Sequence, residues 1–206
     1  MTRRQFIATA AGAVAAVPAK AETPLIVPVH QVTDKRAEFT PEQLQDFSSN
    51  LWSEAVRDFG GCGIELQTSE GVGEIRRSPA GRPLFEGLER GAINVVLTDY
   101  VPLHWDSGRG LAGVSTQYEG RHLCLLALNH AHGHRIPFVS VNTCVHELLH
   151  VLLQDIFVSP EGWWPRAERE VLIDWHATRL WLFHDGGAVR EAARAYLERL
   201  RAAAGT

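Results

Sequence analysis

Residues 142–156 impose the strictest condition on any fold of this chain. Asn142 or Thr143 offers a side-chain oxygen to cap a helix that runs to about Ile156. Within it Leu148, Leu149, Val151, Leu152 and Leu153 surround His146, Glu147 and His150 on most sides. A helix that is apolar nearly all round is buried. Two imidazoles and a carboxylate are costly in such a place unless the fold brings partners to them.

The spacing says what the partner is. His146-Glu147-Leu148-Leu149-His150 has the pattern HExxH. Residues four apart lie one above the other on a helix, so both imidazoles can reach one ion at about 2.0–2.1 Å. Glu147, next to the first imidazole, is set to reach a bound water instead of the ion. A catalytic zinc site needs a third protein ligand and leaves a fourth position open. Downstream, Ile156 stands where a third histidine six residues on would be, Leu153 where its turn would need glycine, and Asp155 is one place out of register. The following helix offers better. Glu170 and Asp174 are four apart on one face, Ala177 keeps that face small, and Val171, Leu172, Ile173, Trp175, Leu180 and Trp181 are expected to bury it. Glu170 then serves as ligand, and Asp174 accepts the remaining ring N–H of a ligating histidine, fixing its tautomer.

The rest of the chain reads as α+β. An extended lead-in covers residues 22–38, with a strand at Leu25–Val29. Thr40 caps a helix in which Leu44, Phe47, Leu51, Ala55 and Phe59 recur at helical spacing until Gly60 and Gly61. Ile64–Thr68, Ile93–Thr98 and His122–Leu128 read as strands, and 106–113 and 129–137 as loops. Pro165 opens a long helix to about His184, and residues 188–204 form another, packed through Leu197 and Leu200. One domain, 22–206, is expected, sheet-rich over 22–141 and helical over 142–206.

Residues 1–21 stand apart as a signal peptide. Arg3 and Arg4 precede a short apolar run from Phe6 to Val17, and Ala19-Lys20-Ala21 has the small-x-small form of a cleavage site. Net charge is -4. Loss of Arg3, Arg4 and Lys20 makes the mature chain more acidic, and it has no polybasic block, so no nucleic-acid partner is expected. No membrane span is expected after removal of the signal. Cys62, Cys124 and Cys144 allow one disulfide at most, with pairing open, and Cys144 reads as a small buried residue, not a ligand. The string Thr2-Arg3-Arg4-Gln5-Phe6-Ile7 resembles a twin-arginine signal. That resemblance implies bacterial export of the folded chain to the periplasm or beyond by the twin-arginine machinery; a Sec signal with two arginines is the alternative.

His146, Glu147, His150, Glu170 and Asp174 together resemble the zincin superfamily, and within it the thermolysin-type gluzincins, with HExxH followed by ExxxD. The resemblance implies a twisted sheet and a helix above the active-site helix, then a helical C-terminal lobe. It implies Zn2+ on His146, His150 and Glu170, Glu147 as general base, Asp174 behind the ligands, and peptide or protein substrates. The chain is short for the thermolysin family, so the resemblance is to the superfamily and its ligand pattern. The alternative is a zinc-containing structural or binding protein without turnover. The donor for a tetrahedral oxyanion is open among His176, Arg179, His184 and Tyr118. Gly113–Ser115 is a candidate edge strand for substrate, His130, His132 and His134 a candidate second metal site, and Trp163–Trp164 a candidate cleft wall.

Overall fold

A computed structural model describes residues 23–99, 113–128, 134–136, 139–159, 162–163 and 165–204. The signal-peptide reading, His130 and His132, and most of the 106–113 loop lie outside the described residues. Strand β1 (Leu25–Asp34) is followed by α1 (Pro41–Asp46), a π-helical segment (Phe47–Trp52) and α2 (Ser53–Gly61). Then come β2 (Ile64–Arg77), β3 (Pro83–Glu86), β4 (Ile93–Thr98), β5 (Gly113–Tyr118) and β6 (Arg121–Ala127). The hairpin of β7 (His134–Ile136) and β8 (Val139–Val141) leads into α3 (Thr143–Leu152). A 3-10 turn (Gln154–Phe157) and the ribbon of β9 (Val158–Ser159) and β10 (Gly162–Trp163) precede α4 (Arg166–Phe183) and α5 (Gly187–Ala204).

The α+β class expected from the sequence is present. One six-stranded sheet has the order β3-β2-β1-β4-β6-β5. Its four central strands are parallel, and β3 and β5 close the two edges antiparallel. Side chains alternate across a strand. Val27, Val29, Ile93, Val95, Leu97, Cys124 and Leu126 therefore face the layer that holds α2, α3, α4 and α5, where Phe59, Leu148, Leu149, Ile173, Leu180 and Tyr196 are buried. Val32, Ile75, Phe85, Val96, Leu123 and Leu125 form a smaller cluster on the opposite face. Both faces being covered, every residue of β4 is buried, Asn94 and Thr98 included, which is why Ile93–Thr98 shows no alternation of apolar and polar residues.

Several elements differ from the sequence reading. β1 extends to Asp34 and β2 to Arg77, beyond the expected Leu25–Val29 and Ile64–Thr68, and β2 carries Gly71 and Gly73 within it. Gly71 and Gly73 are there for space. A Cβ at 71 would meet the His30 ring at 2.8 Å, and one at 73 would meet the Glu86 carbonyl oxygen at 2.3 Å. β3 was not foreseen, and part of the 129–137 loop is strand β7. The α-helix at 143 ends at Leu152 and continues as the tighter 3-10 turn, instead of running to Ile156. Helix α4 is buried on one side only. Ile173, Ala177 and Leu180 are in the core, whereas Val171, Trp175 and Trp181 are exposed, contrary to the expected all-round burial. Leu197 is buried and Leu200 packs against the same core, as expected.

Candidate metal centre

Helix α3 forms because its first turn is capped and its sides are packed. Asn142 Oδ1 accepts the Val145 N–H at 3.1 Å. Thr143 through Leu149, Val151 and Leu152 are all buried. The helix lies over β5 and β6 and against α4. This holds His146 and Glu147 almost wholly out of solvent, at 4% and 3% exposure.

Three ligand-type atoms converge between α3 and α4. His146 Nε2 is 3.1 Å from Glu170 Oε2 and 3.1 Å from His150 Nε2, and His150 Nε2 is 3.3 Å from Glu170 Oε2. A tetrahedral zinc at about 2.0–2.1 Å from each ligand separates those ligands by roughly 3.3 Å. The observed triangle fits that edge length, so His146, His150 and Glu170 could together hold a metal ion. The orientation of each group fits too. His146 Nδ1 lies 2.9 Å from Asp174 Oδ1, so the ring N–H is given to Asp174 and the Nε2 lone pair turns to the centre. Arg166 Nε lies 3.6 Å from Glu170 Oε1, one turn earlier on α4, leaving Oε2 for the two imidazoles. Arg166 did not figure in the sequence reading, although its i, i+4 spacing to Glu170 is visible there.

Charge is the second reason a cation suits this place. Burial disfavours a charged His146, but its bonds to Asp174 and Glu170 and the charge of Glu147 outweigh that and lift its pKa to about 9. The two histidines hold the Glu170 carboxyl well below the usual carboxylate range. Burial raises Glu147, while His146, His150 and the Ser115 hydroxyl pull it part of the way back. Two acceptor nitrogens and carboxylates packed this closely require a positive charge among them, carried by a proton or by an ion.

Glu147 is gripped by the sheet edge. Ser115 Oγ donates to Glu147 Oε2 at 2.9 Å. A Cβ at Gly113 would stand 2.8 Å from Glu147 Cγ and 2.9 Å from Oε1. The sequence places Gly113 and Ser115 on an edge strand for substrate; their described contacts are with Glu147 itself. The alternation of Gly113 and Ser115 with Val114 and Thr116 was the available signal that both face α3.

The candidate oxyanion donors are dispersed. Tyr118 packs edge-on against Phe85 at 5.0 Å on the far side of the sheet. Arg179 pairs with Asp185 and lies 4.6 Å over the Trp175 ring. His184 caps α4 in the left-handed conformation and stands against Gly61. His176 is buried beside Trp175, and burial together with Arg179 lowers its pKa. None of the four has a described contact with the triad. Cys144 is buried, and all three cysteines are free thiols. The His134 side chain, Trp164 and the Trp163 side chain lie outside what is described.

No family model, curated protein or solved structure matches this chain. The site's own geometry therefore carries the functional argument.

Proposed function

We propose that this chain is an exported zinc-dependent metallopeptidase of the zincin type. The observation that carries the proposal is the 3.1–3.3 Å triangle of His146, His150 and Glu170 atoms with Glu147 buried beside it. The sheet with α3 under its β5 edge and helices α4 and α5 following supports a zincin-like arrangement. The twin-arginine-like string and the apolar run before Ala21 support export to the periplasm or beyond.

In this reading His146, His150 and Glu170 hold zinc, and Asp174 and Arg166 keep two of them aimed. Zinc bound there supplies Lewis acidity, which polarises an amide carbonyl and lowers the pKa of water to about 7. Glu147 takes one proton from the attacking water as its oxygen joins the carbonyl carbon, then delivers that proton to the amine nitrogen as the C–N bond breaks. Burial suits Glu147 to this task, because desolvation raises its carboxyl above the ordinary value and makes it the stronger base.

The test is a peptide-library digest by the mature chain, with and without chelator, repeated with Glu147→Gln. The parent is expected to cut peptides and to stop on chelation. Glu147→Gln is expected to keep zinc and to lose hydrolysis by roughly 10²–10⁴-fold. A variant as active as the parent removes Glu147 from the role of base. A zinc-loaded parent that cuts nothing leaves a structural or binding zinc protein.

A further inference from the structure

Strand β5 meets Glu147 at two positions, one missing a side chain and one bearing a hydroxyl. Gly113 and Ser115 are two apart, pair with Leu126 and Cys124 of β6, and so point to the same face of the sheet. Gly113 lets the strand lie flush against the Glu147 stem, with space for nothing larger. Ser115 Oγ reaches Oε2 at 2.9 Å. A buried carboxylate has few partners to choose from, and a hydroxyl donor on one oxygen fixes its rotation about the last side-chain bond.

We propose that Ser115 is a positioning residue for Glu147: its hydroxyl holds Oε2 and leaves Oε1, beside Gly113, as the oxygen that exchanges the proton. The inference rests on the reading of Glu147 as base, and it adds the residue that sets which carboxylate oxygen does the work. Losing that hold leaves the carboxylate free to turn, and misplacement of a catalytic group by about 1 Å can cost on the order of 10²-fold.

The experiment uses the zinc-loaded mature chain and the variants Ser115→Ala, Ser115→Thr, Glu147→Gln and Ser115→Ala/Glu147→Gln. On the best peptide from the library, Ser115→Ala is expected to lower kcat roughly ten- to a hundredfold with KM and zinc content at parental values. Ser115→Thr, which restores the hydroxyl, is expected to recover most of the loss. In parallel, urea midpoints of the four corners form a double-mutant cycle that needs no activity. Ser115→Ala should shift the midpoint clearly less when position 147 is Gln than when it is Glu. An unchanged kcat in Ser115→Ala, failure of Thr to rescue, or strictly additive midpoints overturns the proposal. A parent without hydrolysis but with a non-additive cycle overturns the peptidase reading while upholding the Ser115–Glu147 hold.

Discussion

His146 is the residue whose surroundings are hardest to satisfy without a positive charge. Its Nδ1 is committed to Asp174 and its Nε2 faces both Glu170 and His150. Partners of this kind behind a ligating histidine are each worth about 10–100-fold in metal affinity. Asp174→Asn should therefore weaken zinc binding by that factor in a competition titration against a chromophoric chelator; parental affinity would separate Asp174 from the centre. Gly113 is the second residue whose identity is forced. Its Cβ would fall 2.8 Å from Glu147 Cγ and 3.0 Å from Thr143 Cγ2, so a side chain there must displace one of these groups or the strand. Gly113→Ala should cost about 1–3 kcal/mol by overpacking, read as a lower urea midpoint. A parental midpoint would mean that β5 can shift away from α3.

Helix α3 depends on one residue for its start and for its tie to the rest of the helical layer. Asn142 Oδ1 caps the helix, while Nδ2 donates to the Leu51 carbonyl at 2.8 Å and to Glu54 at 3.2 Å. The π-helical segment and α2 are thereby fastened to the element that carries both histidines. Asn142→Ala should lose about 0.5–2 kcal/mol for the cap alone, and Asn142→Asp should recover only the cap, since it sets a carboxylate against Glu54. Chemical unfolding of both variants checks the order; an Asp variant as stable as the parent would show that the Nδ2 bonds contribute nothing. Strand β6 supplies a pH-dependent term. His122 lies against the Tyr196 ring, and burial together with Arg199 lowers its pKa. Gln117 is 3.4 Å from its Nδ1, a contact that suits the neutral ring. A histidine with a depressed folded pKa binds its proton first in the unfolded chain. Its contribution is thus intact above about pH 6.5 and is lost as pH falls below that value. In urea unfolding from pH 8 to 5, the stability difference between the parent and His122→Gln should move against the parent as pH falls below about 6.5, whatever the other groups contribute to both chains. A difference that does not change with pH would remove His122 as a source of acid sensitivity.

At the scale of the whole molecule, the sheet and the helices form two layers whose common purpose is to bring α4 against α3 beside β5. Much of this was legible from residue patterns. The apolar surroundings of His146 and His150 marked α3 as buried, Ile93–Thr98 read as the strand it is, and the Glu170/Asp174 spacing identified the carboxylates that meet the histidines. What escaped depended on contacts between distant segments. The strand expected at Ile64–Thr68 runs on through Gly71 and Gly73 because the His30 ring and the Glu86 backbone pack against those two positions, and neither is near in sequence. The hydrogen bond from Ser115 to Glu147 spans thirty-two positions and follows only from the pairing of β5 with β6. Aromatic and aliphatic side chains on α4 read as buried in the sequence, because hydrophobicity alone does not tell which side of a helix meets the core; Val171 and Trp175 are exposed. The central claim is that α3 and α4 jointly bind one divalent ion, and zinc content per chain, measured by elemental analysis after dialysis, tests it most directly. The account predicts about one zinc in the parent and far less in each of His146→Ala, His150→Ala and Glu170→Gln. A parent devoid of metal after zinc exposure, or a Glu170→Gln variant that retains the parental content, would contradict it.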